Sequence, residues 1–185
     1  MMSFRYEIRL SGAGGQGLIL IGKILAEAAA IFEDLNATQS QSYGPEARGG
    51  ASRSEVIISD EDIDYPKADN VDLLLAMTQE ALDKYGDETK EKSIIIYDQD
   101  LITAPKELKG RKLYSAEITK LATEQFNKTI VGNMIALGLV TSLSHILHPD
   151  SVKKAIQARV PRGTEQLNLQ AFDLGYKRGE ELQGL

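Results

Sequence analysis

The 185-residue chain contains no cysteine and no tryptophan, only two histidines and five prolines, and few aromatic residues. Without cysteine it can form no disulfide, offer no thiolate nucleophile and hold no iron–sulfur cluster on its own thiolates. Basic charge is also in short supply. Lys and Arg number 21 against 27 Asp and Glu, a net charge of −6, whereas general nucleic-acid binding needs a basic face that displaces counterions. The acids gather in SDEDIDYPKAD (residues 59–69), which leaves room for a local basic pocket around one anion. Neither G-x-S-x-G nor G-K-[ST] occurs, so there is no serine nucleophile elbow and no Walker loop. The N-terminal MMSFRYEIRL lacks the long apolar segment of a signal peptide, so the cytoplasm is the expected compartment. From Thr129 to Leu147 there is no Lys, Arg, Asp or Glu. Asn133, Thr141, Ser142, Ser144 and His145 interrupt that run, so a buried core helix is expected rather than a membrane span, which needs ~20 mainly apolar residues.

What is present reads as alternating strands and helices. Tyr6, Ile8 and Leu10 alternate with Arg5, Glu7 and Arg9, the period of a strand with one wet face. Leu18–Phe32 is apolar almost all round and predicts a largely buried helix. The polar stretch from Glu33 to Arg53 is expected to be the least regular part of the N-terminal half. Strands are predicted at Glu55–Ser59, Val71–Met77, Ser93–Tyr97 and, weakly, Lys112–Tyr114. Thr78 should cap a helix to about Tyr85, Ser115 one to Phe126, and Asp150 or Ser151 one to Arg159. The long helix should end near Leu147, before Pro149. After VPRGT, Thr164 starts a last helix with Leu167, Ala171, Leu174 and Tyr176 near one face. The expectation is a single Rossmann-like α/β domain over residues 1–185. Its mostly parallel sheet should be covered by helices on both faces.

Two glycine-rich segments carry the chemistry. In LSGAGGQG, Gly12, Gly14 and Gly17 fit G-x-G-x-x-G between a predicted strand and a predicted helix, with Gly15 and Gln16 inside the loop. Glycines let backbone approach a ligand, and a helix N-terminus presents free N–H groups with partial positive charge. A nicotinamide or flavin site also wants a second strand soon after, ending in an acidic residue ~20 residues on. Here Glu33 and Asp34 precede any second strand, and Gln16 replaces the usual small residue. Three readings stay open at this point: a dinucleotide site, glycines that only permit close packing, and another ligand or subunit surface. The second segment is SYGPEARGG, with Tyr43, Gly44, Pro45, Arg48, Gly49 and Gly50. Pro45 fixes one φ and the glycines permit positive ones, so the loop is shaped. Arg48 and Arg53 place guanidinium groups within it, suited to bidentate recognition of carboxylate or phosphate. A solvent-exposed turn with an ion pair to Glu46 is the plain alternative.

Taken together, SGAGGQG, SYGPEARGG leading into SRSEVIIS, VDLLLAMTQEAL and NMIALG resemble the gamma subunit of 2-oxoacid:ferredoxin oxidoreductases, and within them the 2-oxoglutarate enzyme. The resemblance spans roughly Ile8 to Tyr176. It implies oxidative decarboxylation of a 2-oxoacid to an acyl-coenzyme A, with ferredoxin as electron acceptor. Thiamine diphosphate, magnesium and iron–sulfur clusters would sit on partner subunits (alpha, beta and, where present, delta), with coenzyme A as co-substrate. The chain would hold no cofactor alone, would not be active alone, and would contact neither nucleic acid nor membrane. Gly12, Gly14, Gly15, Gln16, Gly17, Tyr43, Gly44, Arg48, Gly49 and Gly50 would line one polar cleft on the coenzyme A side, with Arg48 facing a phosphate or a partner carboxylate. Relatives acting on pyruvate, branched-chain oxoacids or indolepyruvate remain open as alternatives, as does a free-standing NAD(P) oxidoreductase. The residues agree by what they omit: no G-D-G with a distant Asn holds a diphosphate, because Gly86-Asp87 continues with Glu88.

Three smaller signals complete the reading. His145 and His148 lie three apart near a helix end, but no carboxylate accompanies them at ligand spacing, and a helix-end role is the better expectation. The acidic run Asp60–Asp64 lacks the glycine and distant Glu of an EF-hand loop. Asn133, in an otherwise apolar helix, needs hydrogen-bond partners if buried, and its place in NMIALG suggests a structural or interface role.

Overall fold

The computed structural model describes residues 4–42 and 52–184. A six-stranded sheet has the order β2-β3-β1-β4-β5-β6, built from β1 (Arg5–Gly12), β2 (Asn36–Ser42), β3 (Ser52–Ser59), β4 (Val71–Ala76), β5 (Thr89–Asp98) and β6 (Lys112–Ala116). β1, β4, β5 and β6 pair in parallel, while β3 runs antiparallel to both β1 and β2. Five of the six strands therefore point the same way, and only β3 is reversed.

β2 corrects the expectation of an irregular segment. Its sequence NATQSQS has no apolar alternation to read, yet it pairs with β3 along its whole length, from Asn36↔Ser59 to Ser42↔Arg53. It is an edge strand, and polar edges discourage pairing with other chains. β3 and β5 also start earlier than their apolar runs, because backbone pairing extends past the hydrophobic residues.

Helices cover the two faces unequally. α1 (Leu18–Glu27, continued by a wide π-turn Ala28–Phe32), α3 (Ile118–Phe126), α4 (Gly132–Ser144), α5 (Pro149–Arg159) and α6 (Glu165–Gln183) share one face. α2 (Gln79–Tyr85) stands on the other with Ile102 and Leu108. α4 is buried from Gly132 to Leu143 because it lies between the sheet and α6. Each large side chain there, such as Leu137, contributes about 1.5–3 kcal/mol. Backbones meet at Gly138 and Gly175, where a Cβ would strike the Phe172 and Ile135 carbonyls. The seam of α6 is therefore Ala171, Phe172, Gly175 and Gly179, while Leu167, Leu174 and Tyr176 pack only partly. The glycines hid that stripe from an apolar-periodicity reading. No helix among the described residues is long and apolar enough to cross a membrane.

Three further expectations change. The Leu18–Phe32 helix is not buried to its end, since Ile31 is 68% exposed and Phe32 36%. Ser115 lies inside β6 and does not cap α3. Instead, the Asp98 carboxylate at the end of β5 accepts the Thr119 N–H (3.1 Å) and hydroxyl, and Asp100 accepts the Lys120 N–H (2.8 Å). At α5 the cap is His148, whose Nδ1 accepts the Asp150 N–H at 3.3 Å, with Pro149 in the first helical turn. Thr78 caps α2 as expected, accepting the Ala81 N–H at 3.2 Å.

The supposed wet face of β1 is the largest surprise. Glu7 and Arg9 are 3% and 5% exposed. Arg9 donates to Glu55 (2.8 Å), to Glu88 and to the Ala68 carbonyl (2.9 Å), with its guanidinium 5.0 Å from the Tyr85 ring centre. Glu7 accepts from Arg5 (2.7 Å) and from the Asn70 N–H (2.7 Å). A central strand buried on both faces can carry alternating charges provided every charge is paired. Sequence periodicity cannot tell that from exposure.

Candidate functional site at the glycine loops

β1 ends at Gly12, and the loop Ala13–Gly17 turns the chain into α1. Gly15 (φ 87°) and Gly17 (φ 77°) occupy the left-handed region, which costs an L-residue with a side chain ~1–2 kcal/mol. Gln16 braces the loop: its Oε1 accepts the Ala13 N–H (2.7 Å) and its Nε2 donates to the Met77 carbonyl just past β4 (3.2 Å). A Cβ on Gly12 would collide with the Gln16 Oε1, and one on Gly17 with the Asn133 carboxamide. A Cβ on Gly14 would meet none of the described residues within 4 Å, and its φ is not positive.

Asn133, 7% exposed, thus sits at the first turn of α4 against Gly17. Its side chain finds no hydrogen-bond partner among the described residues and borders a cavity beside the loop. Two cavities flank the loop. One, about 240 Å³, is bordered by Ala13, Gly14, Gly15, Gly17, Leu18, Ile19 and Ser52. The other, about 260 Å³, lies between Gly15, Gln16 and Met77 on one side and Leu101, Thr119, Ile130 and Asn133 on the other. Both open where the carboxyl ends of the parallel strands converge, the usual ligand position in such sheets.

The second glycine segment, with Tyr43, Gly44, Arg48, Gly49 and Gly50, lies outside the described residues. Its flanks are fixed: Ser42 pairs with Arg53, and Ser52 pairs with Gly12. The described residues on either side of the second segment therefore lie at the same end of the sheet as Gly12, where the first segment begins. Arg53 belongs to β3, not to the loop. It lies 3.9 Å from Glu55 and 5.8 Å from the Tyr85 ring centre, on the α2 side.

The geometry argues against a dinucleotide. Reversed β3 intervenes between β1 and β2, so the strand that should carry the ribose-gripping acid sits two strand spacings from β1, ~10 Å, rather than beside it. The Gln16 carboxamide also takes up the Ala13 N–H. His145 closes α4 in a left-handed conformation (φ 53°) and His148 caps α5. Among the described residues no three His, Cys, Asp or Glu side chains gather as metal ligands.

Burial pushes the Asp98 carboxyl above the ordinary aspartate range, against its hydrogen bonds from Thr119 and the Asp100 N–H. Asp98 fixes the start of α3, and with it Thr119 at the rim of the larger cavity. The Gln16 brace and the Asp98 cap escaped sequence reasoning, because each joins residues distant along the chain. Only the unusual glutamine inside the glycine loop was a signal.

Comparison with known proteins follows the same lines. Residues 7–178 match the family described as pyruvate ferredoxin/flavodoxin oxidoreductase. The 2-oxoglutarate synthase subunit KorC of Methanocaldococcus jannaschii is 48% identical over 182 residues, covering 98% of this chain and 97% of that one. The crystal structure of the keto/oxoacid ferredoxin oxidoreductase gamma subunit of Geobacter sulfurreducens superposes with a TM-score of 0.89 at 44% identity, covering 97% and 98% of the two chains. The 2-oxoglutarate:ferredoxin oxidoreductase of Magnetococcus marinus, solved with 2-oxoglutarate, coenzyme A and succinyl-CoA bound, gives 0.87 at 26% identity. That alignment covers 96% of this chain and 31% of the longer one.

Proposed function

Because the chain belongs to the pyruvate ferredoxin/flavodoxin oxidoreductase family, we propose that it serves as the gamma subunit of a 2-oxoglutarate:ferredoxin oxidoreductase and forms the coenzyme A side of its active cleft. The enzyme as a whole converts the 2-oxoacid to its acyl-coenzyme A, with ferredoxin as electron acceptor. Thiamine diphosphate with magnesium, and the iron–sulfur clusters, supply that chemistry from the alpha, beta and, where present, delta subunits. This chain has no thiolate to hold a cluster. Its part is binding and positioning.

The observation that supports the reading is the pairing of Gly12 with Ser52, which brings the chain just after the second glycine segment beside the start of the first. The α1 N-terminus directs its partial positive charge at the cleft, and Arg48 adds a full one. Gln16 and Asp98 hold the two walls in register.

The test uses the enzyme reconstituted with its partner subunits. A charge-assisted hydrogen bond to a phosphate is worth about 1.5–3 kcal/mol, so Arg48→Ala should raise the KM for coenzyme A about tenfold or more while leaving that for 2-oxoglutarate alone. Gly14→Ala, whose new methyl meets no atom of the described residues within 4 Å, should do the same in kind without loss of stability. If neither coenzyme A kinetics nor assembly responds to either change, the cleft is misassigned. Saturable NAD(P)H binding by the isolated chain would favour the dinucleotide reading instead.

A further inference from the structure

The opposite end of the sheet holds a cavity that the glycine-loop reading does not use. It measures about 290 Å³ and is bordered by Tyr6, Asp72, Lys90, Lys92, Ser93 and Lys112. An irregularity in β5 creates it. Between the pairs Val71↔Thr89 and Leu73↔Ile94, β4 advances two residues while β5 advances five. The three extra residues swell out of the ladder as a bulge, a feature that re-aims side chains.

Lys92 in that bulge has φ 65°. The other non-glycine residues with positive φ are Asp34, Asn127 and His145, the types that tolerate it best, and a bulge of this kind ordinarily uses glycine. A lysine there carries backbone strain that glycine would not, and its backbone N–H is tied to the Gly110 carbonyl at 2.6 Å. Strain of this kind points to a use for the side chain.

The charges are unevenly spent. Asp72 is committed to Lys90 (2.7 Å) and to the Glu7 N–H (2.9 Å). Glu91 and the end of α4 at Ser144 also border the cavity, which makes a service role toward α4's last carbonyls the plain alternative. Neither Lys92 nor Lys112 makes such a bond: both ammonium groups lack an ion-pair or side-chain hydrogen-bond partner among the described residues. Ser93, 4% exposed, has a buried Oγ that likewise has none.

We propose that the β5 bulge is a built anion site, in which Lys92 and Lys112 clasp a small oxyanion, phosphate or carboxylate, and the Ser93 hydroxyl donates to it. The site lies at the far end of the sheet from the coenzyme A cleft and does not depend on that reading.

Titration calorimetry of the full chain with inorganic phosphate and, separately, succinate identifies which oxyanion is held, with chloride at equal ionic strength as control. Saturable binding of at least one oxyanion at millimolar concentration is expected, weakened about tenfold or more by Lys112→Gln. Lys154→Gln, which changes the net charge equally on α5, should leave it intact. Lys92→Gly separates the site from a structural role: it should raise the melting temperature without anion, since glycine relieves the left-handed backbone, yet abolish binding. Absence of saturable binding by the unaltered chain overturns the proposal. So does full binding by both Lys92→Gly and Lys112→Gln, or a melting temperature that Lys92→Gly lowers.

Discussion

Replacing Gly17 by alanine tests the wall of the cleft directly, and its cost can be assembled from two parts. The left-handed backbone at φ 77° charges a side-chain-bearing residue about 1–2 kcal/mol. The new Cβ also overlaps the Asn133 side chain, and overpacking costs about 1–3 kcal/mol. Gly17→Ala should therefore lose about 2–5 kcal/mol, a fall in Tm on the order of 10 °C for a chain of this size. Asn133→Ala alone should cost about 1 kcal/mol or less, because the amide has no hydrogen-bond partner to lose. In the double variant the collision disappears and only the backbone term remains, so it should be more stable than Gly17→Ala. Urea denaturation of the three variants, with unchanged m-values, reads the coupling. Strict additivity would refute the argument, since Gly17 would then be required for something other than Asn133.

Two further outcomes follow from buried charges. Arg9→Leu leaves the 6%-exposed Glu55 without its nearest cation and should cost about 3–5 kcal/mol, most of it recovered in Arg9→Leu/Glu55→Leu; chemical denaturation measures both. Asp98 binds its proton more tightly folded than unfolded, so its contribution to stability is largest below the ordinary aspartate range and declines as pH rises through and just above it. Asp98→Asn should flatten that decline in a pH series of melting temperatures while weakening the α3 cap by about 1 kcal/mol. An unchanged slope would show that burial does not raise this carboxyl.

What the sequence revealed and concealed divides along physical lines. The parallel strands were legible because SIIIY and VDLLLAM are short apolar runs of the kind a sheet buried on both faces carries. The glycine loop was legible as a turn because its left-handed backbone at Gly15 and Gly17 is a local demand that glycine meets. β2 was not, since an edge strand is held by backbone pairing to β3 and needs no apolar pattern of its own. The Arg5–Glu7–Arg9 alternation misled because a charge paired with distant residues such as Glu55 and Glu88 leaves the same trace as a charge in water. The helix caps failed for a related reason: Asp98 reaches α3 from another strand, 21 residues before Thr119, beyond any local capping rule.

The three readings of G-x-G-x-x-G separate once each glycine is asked what surrounds it. Gly12 and Gly17, the outer pair, are fixed by protein: Gln16 and Met77 crowd the first, Asn133 the second. That much is packing. Gly14, in the middle, borders a cavity, and a Cβ added there would meet nothing within 4 Å among the described residues, so none of them accounts for its lack of a side chain. Gly15 is set by its φ of 87° and also faces open space. A motif used only for close helix–strand packing would have no reason to leave its centre bare, and a dinucleotide motif would not spend a loop amide on a glutamine. Within six residues, then, the outer glycines answer to packing and the middle one borders the cavity. Substitution at the outer glycines should register in stability, and at Gly14 in whatever the cleft receives.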